Sequence, residues 1–99
     1  MTIVGAGGAQ LKALFRLSRF KKDYKRLSPD LQDRADLALG KLLQDPRPPG
    51  LGFEKLKGYQ NPDIYTIHVT GNFKISFEID GDTAYLRRIA KHDEIDDNP

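Results

Sequence analysis

Apolar residues recur at two different periods along this chain, and the change of period divides it into a helical part and a sheet part. Phe20, Tyr24 and Leu27 are spaced by four and three residues, which sets them on one helix face and turns Lys21, Lys22 and Lys25 outward. Ser18 is positioned to cap that helix. Ser28-Pro29-Asp30 is a second start signal. It offers a hydroxyl cap, a proline whose missing N–H costs nothing at the first helical position, and an acid at the positive end of the helix dipole. Leu31, Ala35, Ala38, Leu39, Leu42 and Leu43 then follow with a period of about 3.6 until Asp45-Pro46 ends the run. Joined by so short a link, the two helices are expected to form an antiparallel hairpin.

Pro46, Pro48, Pro49 and Gly50 make a stiff connector, beyond which the pattern alternates. Strands are predicted over residues 53–57, 64–69, 73–79 and 83–90, with a short first strand over 13–17 ahead of the helices. In the clearest of them Phe73, Ile75, Phe77 and Ile79 face one way, and Lys74, Ser76 and Glu78 the other. Thr70-Gly71-Asn72 and Asp80-Gly81-Asp82 supply turns. The order β-α-α-β-β-β-β predicts an α+β domain in which an N-terminal strand and a two-helix hairpin pack on a twisted antiparallel sheet of about four strands. The other sheet face is expected to be open to a ligand. Residues 1–12 read as a flexible glycine-rich leader, 13–93 as the single domain, and 94–99 as an acidic, solvated tail.

Length and composition narrow the function. Ninety-nine residues suit one hydrophobic core, and the absence of cysteine excludes disulfides, a thiolate nucleophile and cysteine-ligated zinc. No apolar run is long enough to span a bilayer and the start lacks a secretory h-region, so no membrane partner and a cytoplasmic location are expected. Of the 14 acids, Asp93, Glu94, Asp96 and Asp97 crowd the C-terminal end, which leaves the remainder of the chain basic. Lys12, Arg16, Arg19, Lys21, Lys22, Lys25 and Arg26 oppose a lone Asp23, a stripe suited to nucleic acid or an acidic protein.

Nucleotide-binding glycine loops, H-E-x-x-H and G-x-S-x-G are missing. The chemistry therefore centres on the two histidines. Strand parity puts His68 and Lys74 on the polar side of adjoining strands, and His92 follows the last strand, so that His68, Lys74 and His92 converge with Arg88 or Lys91. A surface with two imidazoles, several permanent cations and little carboxylate suits a phosphodiester: imidazole moves protons near neutral pH, and ammonium or guanidinium holds developing phosphate charge. RNA brings its own 2′-hydroxyl nucleophile, so neither cofactor nor metal is expected. The plainer reading of a strand histidine is a surface or hydrogen-bonded residue, and the plainer reading of the acidic end is a solvated run rather than a cation site.

Several segments, in order and at compatible spacing, carry a family resemblance. They are Phe20-Lys21-Lys22-Asp23-Tyr24-Lys25-Arg26-Leu27, Asp45-Pro46, Lys55-Leu56-Lys57-Gly58, Ile64-Tyr65-Thr66-Ile67-His68-Val69, Gly71-Asn72-Phe73-Lys74-Ile75-Ser76-Phe77 and Ala90-Lys91-His92-Asp93. With them the chain resembles the RelE/ParE superfamily of bacterial toxins from type II toxin–antitoxin modules. The RelE-like branch implies metal-independent cleavage of messenger RNA on the ribosome, by attack of the 2′-oxygen on the adjacent phosphate. Under that resemblance His68, Lys74, His92 and Arg88 are the catalytic candidates. Lys55, Lys57, Lys91, Arg87, Lys21, Lys22 and Lys25 are candidates to meet the RNA backbone. The implied partners are a cognate antitoxin, the ribosome with its messenger, and operator DNA reached through the antitoxin. The sequence departs from the family in having Thr66 where some members have lysine, Lys74 where most have arginine, and no tyrosine after Lys91-His92-Asp93. Lysine does not reproduce the guanidinium fork. The alternatives are a ParE-like toxin that poisons gyrase without cleaving RNA, and an inactive relic that only binds antitoxin. The acids at 93–97 disfavour phosphate binding unless they point away from the cations.

Overall fold

In the computed structural model, which describes residues 10–99, the chain runs β1 (Ala13–Arg16), α1 (Ser18–Lys25), α2 (Pro29–Leu42), a 3₁₀ turn (Pro49–Leu51), β2 (Glu54–Lys55), β3 (Tyr65–His68), β4 (Phe73–Asp80), β5 (Thr83–Lys91) and α3 (His92–Asp97). The strands form one sheet in the order β1-β5-β4-β3-β2. β2 to β5 make the antiparallel meander that alternation predicts, while β1 lies parallel to β5, its crossover supplied by the helices and β2 to β4. The α+β layout is thus the expected one, with a mixed rather than wholly antiparallel sheet.

The helix signals act unequally. Ser28 caps α2, its Oγ accepting from the Leu31 N–H at 3.2 Å, with Pro29 in the first turn. Ser18 is instead the first helical residue of α1, where Leu17 occupies the cap position and no side chain caps the helix. α1 and α2 are tied by the Tyr24 hydroxyl, which donates to Asp36, and by the Gln32 amide, which donates to the Tyr24 carbonyl. Phe20 from α1 and Ala35, Leu39 and Leu42 from α2 share a core with Ile67, Ile75, Phe77, Leu86 and Ile89. Phe53 extends it, its ring 5.6 Å from Phe77 and 5.8 Å from Tyr65.

A β-bulge sets the phase of β5. Ser76 pairs with Arg88 but Phe77 pairs with Leu86, so Arg87 is the extra residue. Strict alternation inward from Ala84 and Leu86 would carry Arg88 into the core; the bulge resets the phase and delivers Ile89 instead.

Three boundaries change. The strand expected over 53–57 is only Glu54–Lys55. Residues 1–9 of the expected leader lie outside the described residues, but Leu11 is fully buried in the core and the Gln10 amide donates to the Leu43 carbonyl, so the folded domain begins before residue 13. The acidic end is not a solvated tail. It forms α3, which packs on β4 and β5 with Ile95 fully buried and Pro99 buried behind it. The sheet face expected to be open is therefore covered over part of its area.

Candidate active site

Antiparallel register brings the expected residues together. His68 on β3 pairs with Lys74 on β4, which pairs with Ala90 on β5, so three neighbouring strands spaced by about 4.8 Å carry one row. His92 follows two residues after Ala90, its backbone N–H donating to the Asn72 carbonyl at 2.7 Å. One imidazole thus comes from β3 on one side of Lys74, and the other from the first residue of α3, just past the end of β5 on its other side. The His68 ring lies over Gly52, where a Cβ would come within 1.9 Å of His68 Cδ2 and where φ is +69°; both facts require glycine. His68 borders a hollow of about 390 Å³ shared with Arg34 and Lys41 of α2, and His92 one of about 540 Å³ shared with Lys91 and Asn72; Gly71 forms part of both rims.

Acidic partners crowd the same row. Lys74 is 4 % exposed, its ammonium 3.3 Å from Asp96 Oδ1 and 3.6 Å from Glu54 Oε1. The other oxygen of Asp96 stands 3.3 Å from His92 Nδ1, so one carboxylate bridges the lysine and the imidazole. Neither Asp96 nor Glu54 stands out in the sequence. Asp96 lies four residues after His92, the spacing that joins side chains on a helix, but the acidic end does not read as one. Thr66 and Ser76, register partners in the next row of the same face, are fully buried, and their hydroxyls make no hydrogen bond among the described residues.

The arginines do other work. Arg88 Nε and Nη2 donate to the Asp23 carboxylate at 3.0 and 3.3 Å, and the same carboxylate accepts from the Ile89 N–H at 3.2 Å. The reason is the short β1: the Leu17 N–H makes the last main-chain bond to β5, at the Leu86 carbonyl, and beyond it Asp23 of α1 stands in for a neighbouring strand. Arg88, expected to hold phosphate, is therefore turned toward the scaffold. Arg87 pairs with Glu78 and donates to the Pro99 carbonyl at 3.4 Å. Lys55 pairs with Asp63 at 3.4 Å, at the β2 side of the sheet. Lys57 and Lys91 are exposed, as are Lys21, Lys22 and Lys25 on α1, which packs against β5. These cations do not join the Lys74 row. Among the described residues, no three histidine or acidic side chains are arranged to hold a metal ion, and no helix is long and apolar enough to cross a membrane.

No family model and no curated sequence matches the chain. Solved structures do. A RelB–RelE antitoxin–toxin complex from Methanococcus jannaschii contains a chain 31% identical to this one, with 86% of this chain and 99% of that chain covered and a TM-score of 0.62. The chain belongs to the RelE family of toxins. The fold extends to distant RelE-like toxins. YafQ from E. coli strain BL21(DE3) has a TM-score of 0.69 at 13% identity, over 87% of this chain and 98% of that chain. YoeB from Staphylococcus aureus, solved as a dimer, has a TM-score of 0.62 at 16% identity, over 85% and 99%.

Proposed function

We propose that this RelE-family toxin is a ribosome-dependent, metal-independent mRNA endoribonuclease, with His68 and His92 as its proton-transfer pair and Lys74 as its phosphate-binding cation. The observation that carries this reading is that Lys74 on β4 pairs in register with His68 on β3 and shares the Asp96 carboxylate with His92, the first residue after β5. In-line displacement at phosphorus needs a base at the attacking oxygen and an acid at the leaving oxygen, on opposite sides of the phosphate. One imidazole takes the proton of the 2′-hydroxyl as the 2′-oxygen bonds to phosphorus. The bond to the 5′-oxygen breaks, the other imidazole protonates that oxygen, and the products are a 2′,3′-cyclic phosphate and a 5′-hydroxyl. The Lys74 ammonium offsets the charge that builds on the non-bridging oxygens. Arg88 serves this reaction from behind, by keeping β5 and α1 in register through Asp23.

Lys55, Lys57, Lys91 and the α1 lysines supply backbone contacts that position the messenger, with Arg87 joining them once its acidic neighbour is displaced. The proposed partner is an antitoxin, as in the M. jannaschii RelB–RelE and E. coli DinJ–YafQ complexes. An acidic, foldable antitoxin segment is complementary to the basic α1 face, and operator DNA is reached through the antitoxin in the cytoplasm.

Inducible expression with transcriptome-wide mapping of RNA 5′ ends tests the proposal, comparing wild type with the His68→Ala/His92→Ala variant. New ends inside translated codons, lost in the variant, are expected. Growth arrest without such ends and unchanged in the variant would replace the nuclease with a gyrase-directed toxin. No arrest at all would leave an antitoxin-binding relic.

A further inference from the structure

Lys74 cannot reach a phosphate as it stands, because its side chain is 4 % exposed and its ammonium is already held by Asp96. The cover is α3, and α3 and the residues after it bring an oxygen to Lys74, His92, Arg88 and Arg87. Asp96 meets Lys74 and His92, each at 3.3 Å, and Glu94 stands 3.7 Å from Arg88. The Asn98 carbonyl accepts from Arg88 at 3.2 Å and the Pro99 carbonyl from Arg87 at 3.4 Å. A carboxylate oxygen at ion-pair distance from an ammonium takes the position of a non-bridging phosphate oxygen.

A second, independent observation lies in the covered face. The Thr66 and Ser76 hydroxyls sit side by side across β3 and β4, fully buried and without a hydrogen-bond partner among the described residues. Burying an unpaired hydroxyl carries a free-energy penalty that uncovering the face removes. The cover is also short. α3 is only six residues long, too short to persist as a helix without its packing, and no side chain caps its start. Besides the ion pairs it is fixed by the buried Ile95, by the His92 N–H donating to the Asn72 carbonyl at 2.7 Å and by the Tyr59 hydroxyl donating to the Asp96 carbonyl at 3.3 Å, with the Arg88 and Arg87 bonds to the Asn98 and Pro99 carbonyls just beyond it.

We infer that α3 is a built-in competitor for RNA: its Asp96 and Glu94 carboxylates occupy the phosphate site in the closed toxin, and single-stranded RNA enters by displacing them. Once the part of α3 after His92 lifts, the Thr66 and Ser76 hydroxyls join Lys74 as phosphate ligands, and His92, still anchored at the Asn72 carbonyl, is released from Asp96. The inference rests on the nuclease reading above, since it makes RNA the ligand that the face receives.

Two variants test it. Ile95→Ala loosens α3 while keeping every charge, and Glu94→Gln/Asp96→Asn removes the two competing carboxylates; circular dichroism establishes that each is folded. Opening is read by pulsed acylation of Lys74 with an amine-reactive ester and mass spectrometry, with exposed Lys57 and Lys91 as internal references. Binding is read by fluorescence anisotropy of a labelled single-stranded RNA oligonucleotide at fixed salt. In both variants Lys74 acylation should rise by about tenfold and RNA should bind about tenfold tighter, because apparent affinity scales with the open fraction. The Ile95→Ala result is the sharper one, since removing acids strengthens RNA binding by electrostatics alone. If Ile95→Ala fails to fold, the labelling of Lys74 in the charge variant decides. Unchanged Lys74 labelling overturns the lid and leaves the nuclease reading to the cleavage ends. Increased labelling with no gain in RNA affinity overturns the competition and shows that the uncovered face is not an RNA site.

Discussion

The two faces of the sheet are built on different principles. On one, Ile67, Ile75, Phe77, Leu86 and Ile89 meet the apolar stripes of α1 and α2, and burial is its own compensation. On the other, where the six-residue α3 packs on β4 and β5, Thr66, Lys74, Ser76 and Arg88 are buried, a set of groups that water would hold better than protein unless each is paired. The lysine and the arginine are paired; the two hydroxyls are not. The contrast teaches that stability resides on the first face, whereas the second buries polar groups at a cost.

The largest effect should come from the apolar face. Phe77→Ala empties a fully buried site, and urea denaturation should show a loss of about 3–5 kcal/mol. A loss under about 1 kcal/mol would mean that this face is not where stability resides. Next comes the buried Arg88–Asp23 ion pair of the scaffold. Asp23→Ala leaves the Ile89 N–H without its acceptor and removes the buried carboxylate of Arg88, which keeps only the Asn98 carbonyl and the more distant Glu94, so a loss of about 3 kcal/mol is expected in the same assay.

The sign should reverse in the covered row. Thr66→Val and Ser76→Ala each delete an unpaired hydroxyl, and each should raise stability by about 1 kcal/mol. Loss of stability in both would show that the hydroxyls are satisfied in solution and would remove the contrast between the faces. The smallest effect belongs to exposed His68, where alanine should shift stability by no more than about 0.5 kcal/mol while abolishing mRNA cleavage. Wild-type cleavage should also change with pH between about 5.5 and 8, because the proposed pair works only with one imidazole neutral and the other protonated. A rate that is flat across that range would remove the histidines from the chemistry.

Much of this was readable from local pattern. Ser28-Pro29-Asp30 marks the start of α2 because capping depends on residues a few positions apart. The alternation of 73–79 marks β4 and the parity of His68 and Lys74, since the pleat has a period of two. α3 was not readable for the same reason. Six residues with Ile95 as the sole apolar side chain carry no period, and an acidic run reads as solvent-facing unless one knows that cations wait beneath it. The bulge at Arg87 and the pairing of Arg88 with Asp23, 65 residues away, likewise leave no local trace.

By itself, the sequence determined the order of elements from β1 to β5, the apolar core face and the shared phase of His68 and Lys74, because each follows from periodicity and strand parity. Only the tertiary structure decided what those side chains meet. It turned Arg88 to the scaffold, joined Lys74 and His92 through Asp96, and folded the acidic end over the face expected to be open. The physical reason is range: backbone periodicity is set within a few residues, whereas ion pairing depends on which distant segments the fold brings within about 4 Å.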